Sequence, residues 1–268
     1  MAAPLPLLRR SQGAHIRELL LDRRVRAQDG AFVVEGAHAV RDLLTRYPEQ
    51  ILTIVSAHGY LLKEGQNDRL VRLGSSAQQC SCSDLQFSKL SDLDAPQGIL
   101  AVVRQPTWDE ENVLRQPTVL VIFAEQIQDP ANVGAIIRTA AALNVSGLWL
   151  TPESADVYHP KVVRATSGAL LALPIFASKD TSELIRQGCK IFAAEVTGSE
   201  TVSIDKIHLA PRKLVLAVGN ESRGLSALIR KQATTRFTIP LSRDVESLNV
   251  AATVAIATFY FSRLPEGE

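Results

Sequence analysis

The stretch Leu214-Val215-Leu216-Ala217-Val218-Gly219-Asn220-Glu221-Ser222-Arg223-Gly224-Leu225 combines the pattern of a buried strand with that of a turn and a helix start. Leu214 to Val218 is a short apolar run, typical of a strand covered on both faces. Gly219 lets the backbone turn sharply and approach a ligand, and Gly224 can adopt a positive φ before the next helix. The stretch indicates an α/β fold, although many α/β proteins contain a plain connection of this kind.

Similar units lie on both sides of this stretch. Strands are predicted at 119–124, 148–150, 175–177, 191–196 and 237–239, and helices at 133–143, 160–170, 181–187, 225–232 and 248–261. Apolar strands that alternate with helices favour a parallel sheet covered on both faces. Ligands of such sheets bind beyond the carboxyl ends of the strands. The loops that follow Ala124, Val196, Val218 and Ile239 are therefore the candidate site.

A smaller α/β block precedes this sheet. Its predicted strands are 32–35, 51–56 and 99–103, and its predicted helices are 16–26, 36–45, 66–73 and 83–90. Residues 105–117 contain two prolines, three acids and no apolar period. We therefore expect a first domain over 1–104, a linker over 105–117 and a second domain over 118–268.

Composition disfavours several classes of protein: membrane-spanning, secreted, disulfide-rich and metal-binding. The 268 residues carry a net charge of +1 and no apolar run of membrane-spanning length, and no signal peptide is apparent. Three cysteines, none in a Cys-x-x-Cys pair, and histidines without ligand spacing disfavour a disulfide framework or a metal site. A soluble cytoplasmic protein is expected.

Two basic segments are candidates for contact with nucleic acid. The first 26 residues hold six arginines against two acids, a local charge of 6 − 2 = +4; the arginines are Arg9, Arg10, Arg17, Arg23, Arg24 and Arg26. Lys161 and Arg164 share one face of a predicted helix. Both sets suit phosphate contacts, and both are also compatible with solvated helix surfaces.

Two further loops carry polar residues at predicted helix starts. Asn132 is a good N-cap for the helix after the first strand of the sheet, and Arg138 lies about two turns into that helix. Ser247 is a natural N-cap of the last helix, which places Asn249 in an apolar helix start. A buried Asn needs a partner, either a ligand or another part of the chain.

Taken in order, these loops resemble a known family. Asn132-x-Gly134-x-x-x-Arg138, Gly219-Asn220-Glu221-x-x-Gly224-Leu225 and Ile239-Pro240 with Glu246-Ser247-Leu248-Asn249-Val250 resemble the three signature motifs of the SpoU (TrmH-type) RNA ribose methyltransferases, in the SPOUT superfamily. The resemblance extends over 118–261. Residues 30–36 and 97–102 resemble the SpoU substrate-binding domain, which has an L30e-like fold.

The resemblance implies a SPOUT sheet whose C-terminal part forms a trefoil knot over 216–220 and 239–252. It also implies a homodimer, to which the apolar helix 248–261 contributes. No metal is expected, for the reasons of cysteine and histidine spacing given above. S-adenosylmethionine would be bound by Val196, Gly198, Leu216, Gly219, Asn220, Ile239, Leu248, Asn249 and Ala252.

By the same resemblance, Arg138 is the residue placed at the ribose 2′-hydroxyl. Asn132, Glu221, Ser247 and Asn249 would organise the site around it. A guanidinium group does not readily give up its proton, so an arginine is a poor general base. A clamp on the RNA phosphate is therefore an equal alternative for Arg138, and Glu221 either titrates or orients Arg138.

The expected function is S-adenosylmethionine-dependent methylation of a ribose 2′-hydroxyl, in 23S rRNA rather than tRNA. A tRNA enzyme, a non-catalytic RNA-binding protein of the same fold, and a base-nitrogen methyltransferase are the alternatives. A nicotinamide-dependent oxidoreductase is excluded, because Gly-x-Gly-x-x-Gly does not follow the first strand.

Overall fold

The computed structural model describes residues 5–63, 77–196 and 200–267. Its helices are α1 (Arg10–Leu21), α2 (Arg23–Asp29), α3 (Ala37–Arg46), α4 (His58–Lys63), α5 (Asp84–Leu90), α6 (Glu110–Leu114), α7 (Pro130–Ala142), α8 (Pro160–Ala165), α9 (Ser182–Arg186), α10 (Ala227–Gln232) and α11 (Val250–Phe261). Its strands are β1 (Ala31–Glu35), β2 (Ile51–Ala57), β3 (Gln78–Cys82), β4 (Ile99–Arg104), β5 (Val119–Ala124), β6 (Gly147–Leu150), β7 (Ile175–Ala177), β8 (Lys190–Ala194), β9 (Val202–Ser203), β10 (Ala210–Pro211), β11 (Lys213–Val218), β12 (Thr235–Thr238) and β13 (Glu266–Gly267).

The chain forms two compact units. The first extends to Pro106 and includes Tyr158–Leu171, and the second combines Thr107–Val157 with Ala172 to the C-terminal end. The predicted domain limits stay a prediction, but Tyr158–Leu171, which the sequence pattern placed in the second domain, packs in the first unit. There the rings of Tyr158 and Phe32 lie 5.0 Å apart, and Arg164 pairs with Asp92 at 3.4 Å.

The first unit contains a four-stranded sheet in the order β1-β4-β2-β3. Both β1 and β2 run antiparallel to β4, whereas β3 runs parallel to β2. The pattern did not predict β3, because its sequence, Gln-Gln-Cys-Ser-Cys, lacks an apolar run even though its last three residues are buried. The helix predicted over 66–73 lies outside the described residues.

The helix predicted over 16–26 is in fact two helices. Asp22 ends α1 in an extended conformation, and its side chain caps α2 by accepting a hydrogen bond from the backbone N–H of Arg24. Asp competes with helical hydrogen bonding in this way, which favours it at caps and turns.

The interruption at Asp22 changes the role of one predicted RNA-binding residue. Arg26 is only 2% exposed, and its guanidinium donates hydrogen bonds to the carbonyl oxygens of Leu19, at 2.7 Å, and Leu20, at 3.2 Å. It satisfies the C-terminal carbonyls of α1. The prediction that Arg26 contacts RNA is therefore wrong, because the packing of α2 against α1 buries its side chain.

The other arginines of this segment remain at the surface. Arg17 donates to the carbonyl of Lys89, and Arg24 pairs with Asp22 at 3.2 Å. Arg9, Arg10 and Arg23 are exposed.

The second unit contains a seven-stranded sheet in the order β7-β6-β5-β11-β8-β12-β9, and all of its strand pairs are parallel. The predicted parallel sheet is confirmed. Large side chains such as Phe123, Trp149 and Ile191 are buried in its core. Because β5, β11, β8 and β12 are neighbours, the loops after their carboxyl ends meet at one edge.

Replacing Arg26 with Ala should lower the free energy of unfolding by about 2–3 kcal/mol, because two buried carbonyls lose their donor. Arg23→Ala, at an exposed position of the same helix, is the control and should change stability by less than about 0.5 kcal/mol. Urea unfolding followed by circular dichroism measures both. Equal stability of the two variants would contradict this role for Arg26.

Candidate active site

The loop after β11 is closed tightly on itself. Its two ends are so close at Gly219 that a Cβ there would lie 2.2 Å from the carbonyl carbon of Gly224 and 2.3 Å from the nitrogen of Leu225. The Asn220 side chain accepts hydrogen bonds from the backbone N–H groups of Ser222, at 3.0 Å, and Arg223, at 3.1 Å. Only glycine fits at position 219, so the loop holds its neighbours in a fixed place.

A hydrogen-bonded network of three side chains joins three of the loops. The amide of Asn132 donates to Oε1 of Glu221 at 2.9 Å, and the amide of Asn249 donates to Oδ1 of Asn132 at 2.8 Å. The Oδ1 of Asn249 in turn accepts from the backbone N–H groups of Ala251 and Ala252. Asn249 is exposed, not buried as the sequence argument assumed. Its side chain nevertheless has a partner in another part of the chain, Asn132 in the first turn of α7.

Both predicted helix caps are wrong by two or three residues. Asp129, not Asn132, caps α7, because Pro130 occupies the first helical position and the Asp129 side chain accepts from the N–H of Ala131. Asn249, not Ser247, caps α11. Asn132 thus lies inside the first turn of α7, where its side chain is free to join the network.

The network holds Glu221 as a carboxylate. Burial acts to raise its pKa, but hydrogen bonds from the Asn132 side chain and from the backbone of Glu221, Asp129 and Gln128 outweigh burial, so the pKa lies below its ordinary value. A carboxylate stabilised in this way is a weak base. This geometry suits Glu221 to holding the loops together more than to accepting a proton.

Arg138 does not belong to this network. It is exposed on α7, and in the described part of the chain it makes no hydrogen bond or ion pair. Six residues correspond to about 600°, or roughly 240° around a helix, so Arg138 points away from the face that carries Asn132. The structure brings together Asn132, Glu221 and Asn249, but not Arg138.

A cavity of about 630 Å³ lies at the same edge of the sheet. Of the predicted cofactor-binding residues, Val196, Gly219, Asn220, Ile239 and Leu248 line it. Three others do not: Leu216 is buried inside β11, and Asn249 and Ala252 belong to the start of α11. Gly198 lies outside the described residues. Glu221 and Ser247, predicted as catalytic, also line this cavity.

Sequence reasoning missed several residues that line the cavity, among them Glu195, Arg223, Arg230, Leu241 and Thr253. Glu195 had a usable signal, because it is a charged residue near the carboxyl end of the strand predicted over 191–196; the observed strand β8 ends just before it, at Ala194. Arg230 had none, since its side chain reaches the cavity from α10 only in the folded chain.

The second predicted basic pair lies in the first unit. Arg164 is half-buried and paired with Asp92, whereas Lys161 is exposed.

Of the residues that the structure describes, none form a cluster of three or more His, Cys, Asp or Glu side chains able to hold a metal ion. No helix within the described ranges is long and apolar enough to cross a membrane.

The fold and the cavity can now be compared with known proteins. The model of the SpoU rRNA Methylase family matches residues 119–259, and that of the MRM3-like substrate binding domain matches residues 15–101. The parallel sheet matches those of the SPOUT methyltransferases. The chain belongs to the SpoU rRNA methylase family, a class of S-adenosylmethionine-dependent RNA 2′-O-methyltransferases.

Relatives of known sequence or structure extend over most of the chain. An uncharacterized tRNA/rRNA methyltransferase of Synechocystis is 30% identical over 87% of this chain and 84% of its own length. The 23S rRNA (guanosine(2553)-2′-O)-methyltransferase RlmP of Bacillus subtilis is 29% identical over 89% and 91%. The AdoMet-bound rRNA methyltransferase of Sinorhizobium meliloti superposes with a TM-score of 0.81 at 26% identity, over 97% and 96%.

Asn132→Ala should raise the pKa of Glu221, because burial then acts against fewer hydrogen bonds. A carboxyl group whose pKa is lower in the folded than in the unfolded protein stabilises the folded state at pH values above its unfolded-state pKa. This stabilisation is lost as the pH falls through the folded-state pKa. The variant should therefore lose this contribution at a higher pH than the wild type. Carbon-13 NMR titration of the Glu221 carboxyl measures the pKa directly, and urea unfolding between about pH 3 and pH 7 measures the stability.

The matched control is Asn112→Ala. The Asn112 amide also donates to a carboxylate, that of Asp109 at 2.7 Å, in the same unit but away from the site. It should leave the Glu221 titration unchanged. A Glu221 pKa that is the same in the wild type and in Asn132→Ala would contradict the assigned role of the network.

Proposed function

We propose that this protein transfers the methyl group of S-adenosylmethionine to a ribose 2′-hydroxyl of 23S rRNA. The observation that carries the proposal is the Asn132–Glu221–Asn249 network beside a cavity of about 630 Å³, at the edge where four parallel strands end. A rigid polar network next to a large cavity is what positioning a small nucleophile against a bound methyl donor requires.

The residues of the cavity fit S-adenosylmethionine. Val196, Ile239, Leu241 and Leu248 offer apolar surface for an adenine ring, and the backbone around Gly219 allows close approach. When bound, the cofactor supplies an electrophilic methyl group on a sulfonium. This chain would hold it with the loops after β8, β11 and β12, and would exclude water from the reacting atoms.

Arg138 is the residue that acts on the RNA. Its planar guanidinium can donate two parallel hydrogen bonds, so it binds the phosphate next to the target ribose and aligns the hydroxyl for in-line attack. Ser247 and the network organise the loops around that hydroxyl, which gives Glu221 an orienting role. Positioning of this kind supplies much of the rate of a two-substrate reaction.

A homodimer completes the site. Ala252, Ile256 and Phe259 are exposed and share one face of α11, and the last two are 43% and 53% exposed. The helix α7, which packs against α11, carries the exposed Arg138. Because Arg138 points away from the network of its own subunit, a second copy docked on this face would bring the guanidinium to a site. The trefoil knot over 216–220 and 239–252 is part of the same proposal.

Ribosomal RNA is favoured over tRNA as the substrate. RlmP, which aligns along most of this chain, acts on 23S rRNA by its name, and the MRM3-like domain over residues 15–101 supports a dedicated RNA-binding unit. Lys161 and the exposed Arg9, Arg10 and Arg23 are the proposed phosphate contacts there, together with Arg17, Arg24 and Arg164 where their present partners release them. Three buried, free cysteines suit a reducing cytoplasm.

The reaction is tested with methyl-labelled S-adenosylmethionine and 23S rRNA from a strain that lacks the gene, with tRNA from the same strain as comparison. We expect one 2′-O-methyl nucleotide in 23S rRNA. Arg138→Ala should lower the rate at least about 100-fold, because the ribose is no longer aligned. Its affinity for S-adenosylhomocysteine, measured by calorimetry, should stay unchanged, since Arg138 does not line the cavity.

Arg186→Ala is the control, because Arg186 is another exposed arginine of the second unit, and it pairs with Glu183 on its own helix. It should methylate at the wild-type rate. Label found in tRNA alone would show that tRNA, not 23S rRNA, is the substrate. Label found on a base would show that the enzyme methylates a base and not a ribose 2′-hydroxyl. Cofactor binding without transfer to any RNA would favour a non-catalytic RNA-binding protein.

The dimer is tested by sedimentation velocity. The wild-type protein should have an apparent mass of twice the chain mass of 29.2 kDa. Ile256→Asp should be monomeric, because dimerisation would bury its charge at the interface. Leu228→Asp, at a position 52% exposed on α10, is the control and should stay dimeric. A monomeric wild type, or a dimeric Ile256→Asp variant, would contradict the proposed interface.

A further inference from the structure

Glu195 is a buried carboxylate at the wall of the cavity. It directly follows β8, and its backbone N–H donates to the carbonyl of Phe237 at 2.9 Å, which fixes its place between β8 and β12. Its side chain is 10% exposed. Neither the network around Glu221 nor the proposed role of Arg138 uses it, so a carboxylate in this position needs its own explanation.

Two arginines compensate its charge without satisfying both oxygens. The Nε of Arg230 lies 3.3 Å from Oε1, and Nη1 of Arg236 lies 4.0 Å from Oε2. Arg236 also pairs with Glu200. The Arg230 contact is not aligned as a hydrogen bond, and the described part of the chain offers Oε1 no other donor.

A ligand in the cavity is a natural source of the missing donor. A buried acceptor without a hydrogen bond destabilises the folded state, so such groups are rare in folded proteins. Glu195 and Arg230 both line the cavity. A hydroxyl or amino group on a bound molecule would satisfy Oε1, while the Arg230 guanidinium, 3.3 Å away, holds the carboxylate in place.

The order of the strands indicates which part of the cofactor lies at Glu195. The reacting methyl group must lie near Asn132 and Glu221, which follow β5 and β11. The strand β8 comes next in the sheet, and β12 lies beyond it. A nucleoside bound in this orientation would extend from β11 toward β8 and β12, with its ribose beside β8 and its base against Ile239, Leu241 and Leu248, which line the cavity.

We propose that Glu195 is a positioning residue that accepts a hydrogen bond from a ribose hydroxyl of S-adenosylmethionine. The proposal rests on the proposed function, because it takes S-adenosylmethionine as the occupant of the cavity. Carboxylates after a strand bind ribose hydroxyls in the same chemical way in dinucleotide-binding sheets.

The test is calorimetry on the full chain with S-adenosylhomocysteine and three of its analogues: 2′-deoxy, 3′-deoxy and N6,N6-dimethyl. The proteins are the wild type, Glu195→Gln, Glu195→Ala and the control Glu200→Gln. Glu200 belongs to the same charge cluster, but its side chain is 75% exposed. Thermal unfolding of each protein reports whether it is folded.

Glu195→Ala should weaken S-adenosylhomocysteine binding about 10-fold to 100-fold, the range of a hydrogen bond to a charged group. Glu195→Gln, which keeps a neutral acceptor, should fall between Glu195→Ala and the wild type. One of the two deoxy analogues should bind the wild type more weakly by a similar factor, and Glu195→Ala should bind that analogue and the parent compound equally. Glu200→Gln should match the wild type.

The proposal would be overturned if removal of the ribose hydroxyl and the Glu195→Ala substitution weakened binding additively. Additive losses of affinity would mean that the hydroxyl and the Glu195 carboxylate do not interact. Dependence on the N6,N6-dimethyl analogue instead would also overturn the ribose assignment. Tight binding by the wild type together with unchanged binding by a folded Glu195→Ala would refute only the role of Glu195. Absence of binding by the wild type would refute the proposed function.

Discussion

The hydrogen bonds of Asn132 determine how the active edge of this sheet is assembled. One joins it to Glu221, 89 residues away, and the other to Asn249, 117 residues away. The backbone N–H groups of α11 fix the orientation of the Asn249 amide, which fixes that of Asn132, which in turn presents an N–H to Glu221. Each amide therefore has a single consistent orientation, and an acid at position 249 would set a carboxylate against the oxygen of Asn132.

This constraint separates the residues that hold the loops together from those that we propose contact the substrates. Glu221 is engaged by its neighbours and stays ionised, whereas Arg138 is exposed and without a partner among the described residues. A group committed to holding loops is ill suited to also move a proton. An uncommitted guanidinium on a packed helix can bind an incoming phosphate at little cost in reorganisation. The division favours electrostatic positioning as the main contribution of this chain to the reaction.

Local sequence predicted structural elements correctly wherever a single residue or a single hydrophobic period determined the element. The apolar runs at β5, β8 and β11 predicted the parallel sheet, and Gly219 predicted the tight turn, because these depend on near neighbours. Helix ends were harder to predict where several nearby residues could each cap or interrupt a helix. Asp129 with Pro130 was a stronger helix start than Asn132, and Asp22 divided one basic helix into two. The polar strand β3 could not be predicted because its burial depends on strands distant in sequence.

The sequence by itself determined the family, the parallel sheet and the four loops at its carboxyl edge, because period, glycine placement and ordered motifs are properties of the chain. Only the tertiary structure decided which of those residues touch. It placed Asn132, Glu221 and Asn249 in one network, turned Arg138 away from it, buried Arg26 under α1 and brought Glu195 and Arg230 to the same cavity. These are contacts between residues distant in sequence, and their geometry follows from how strands order in the sheet and how helices pack on it.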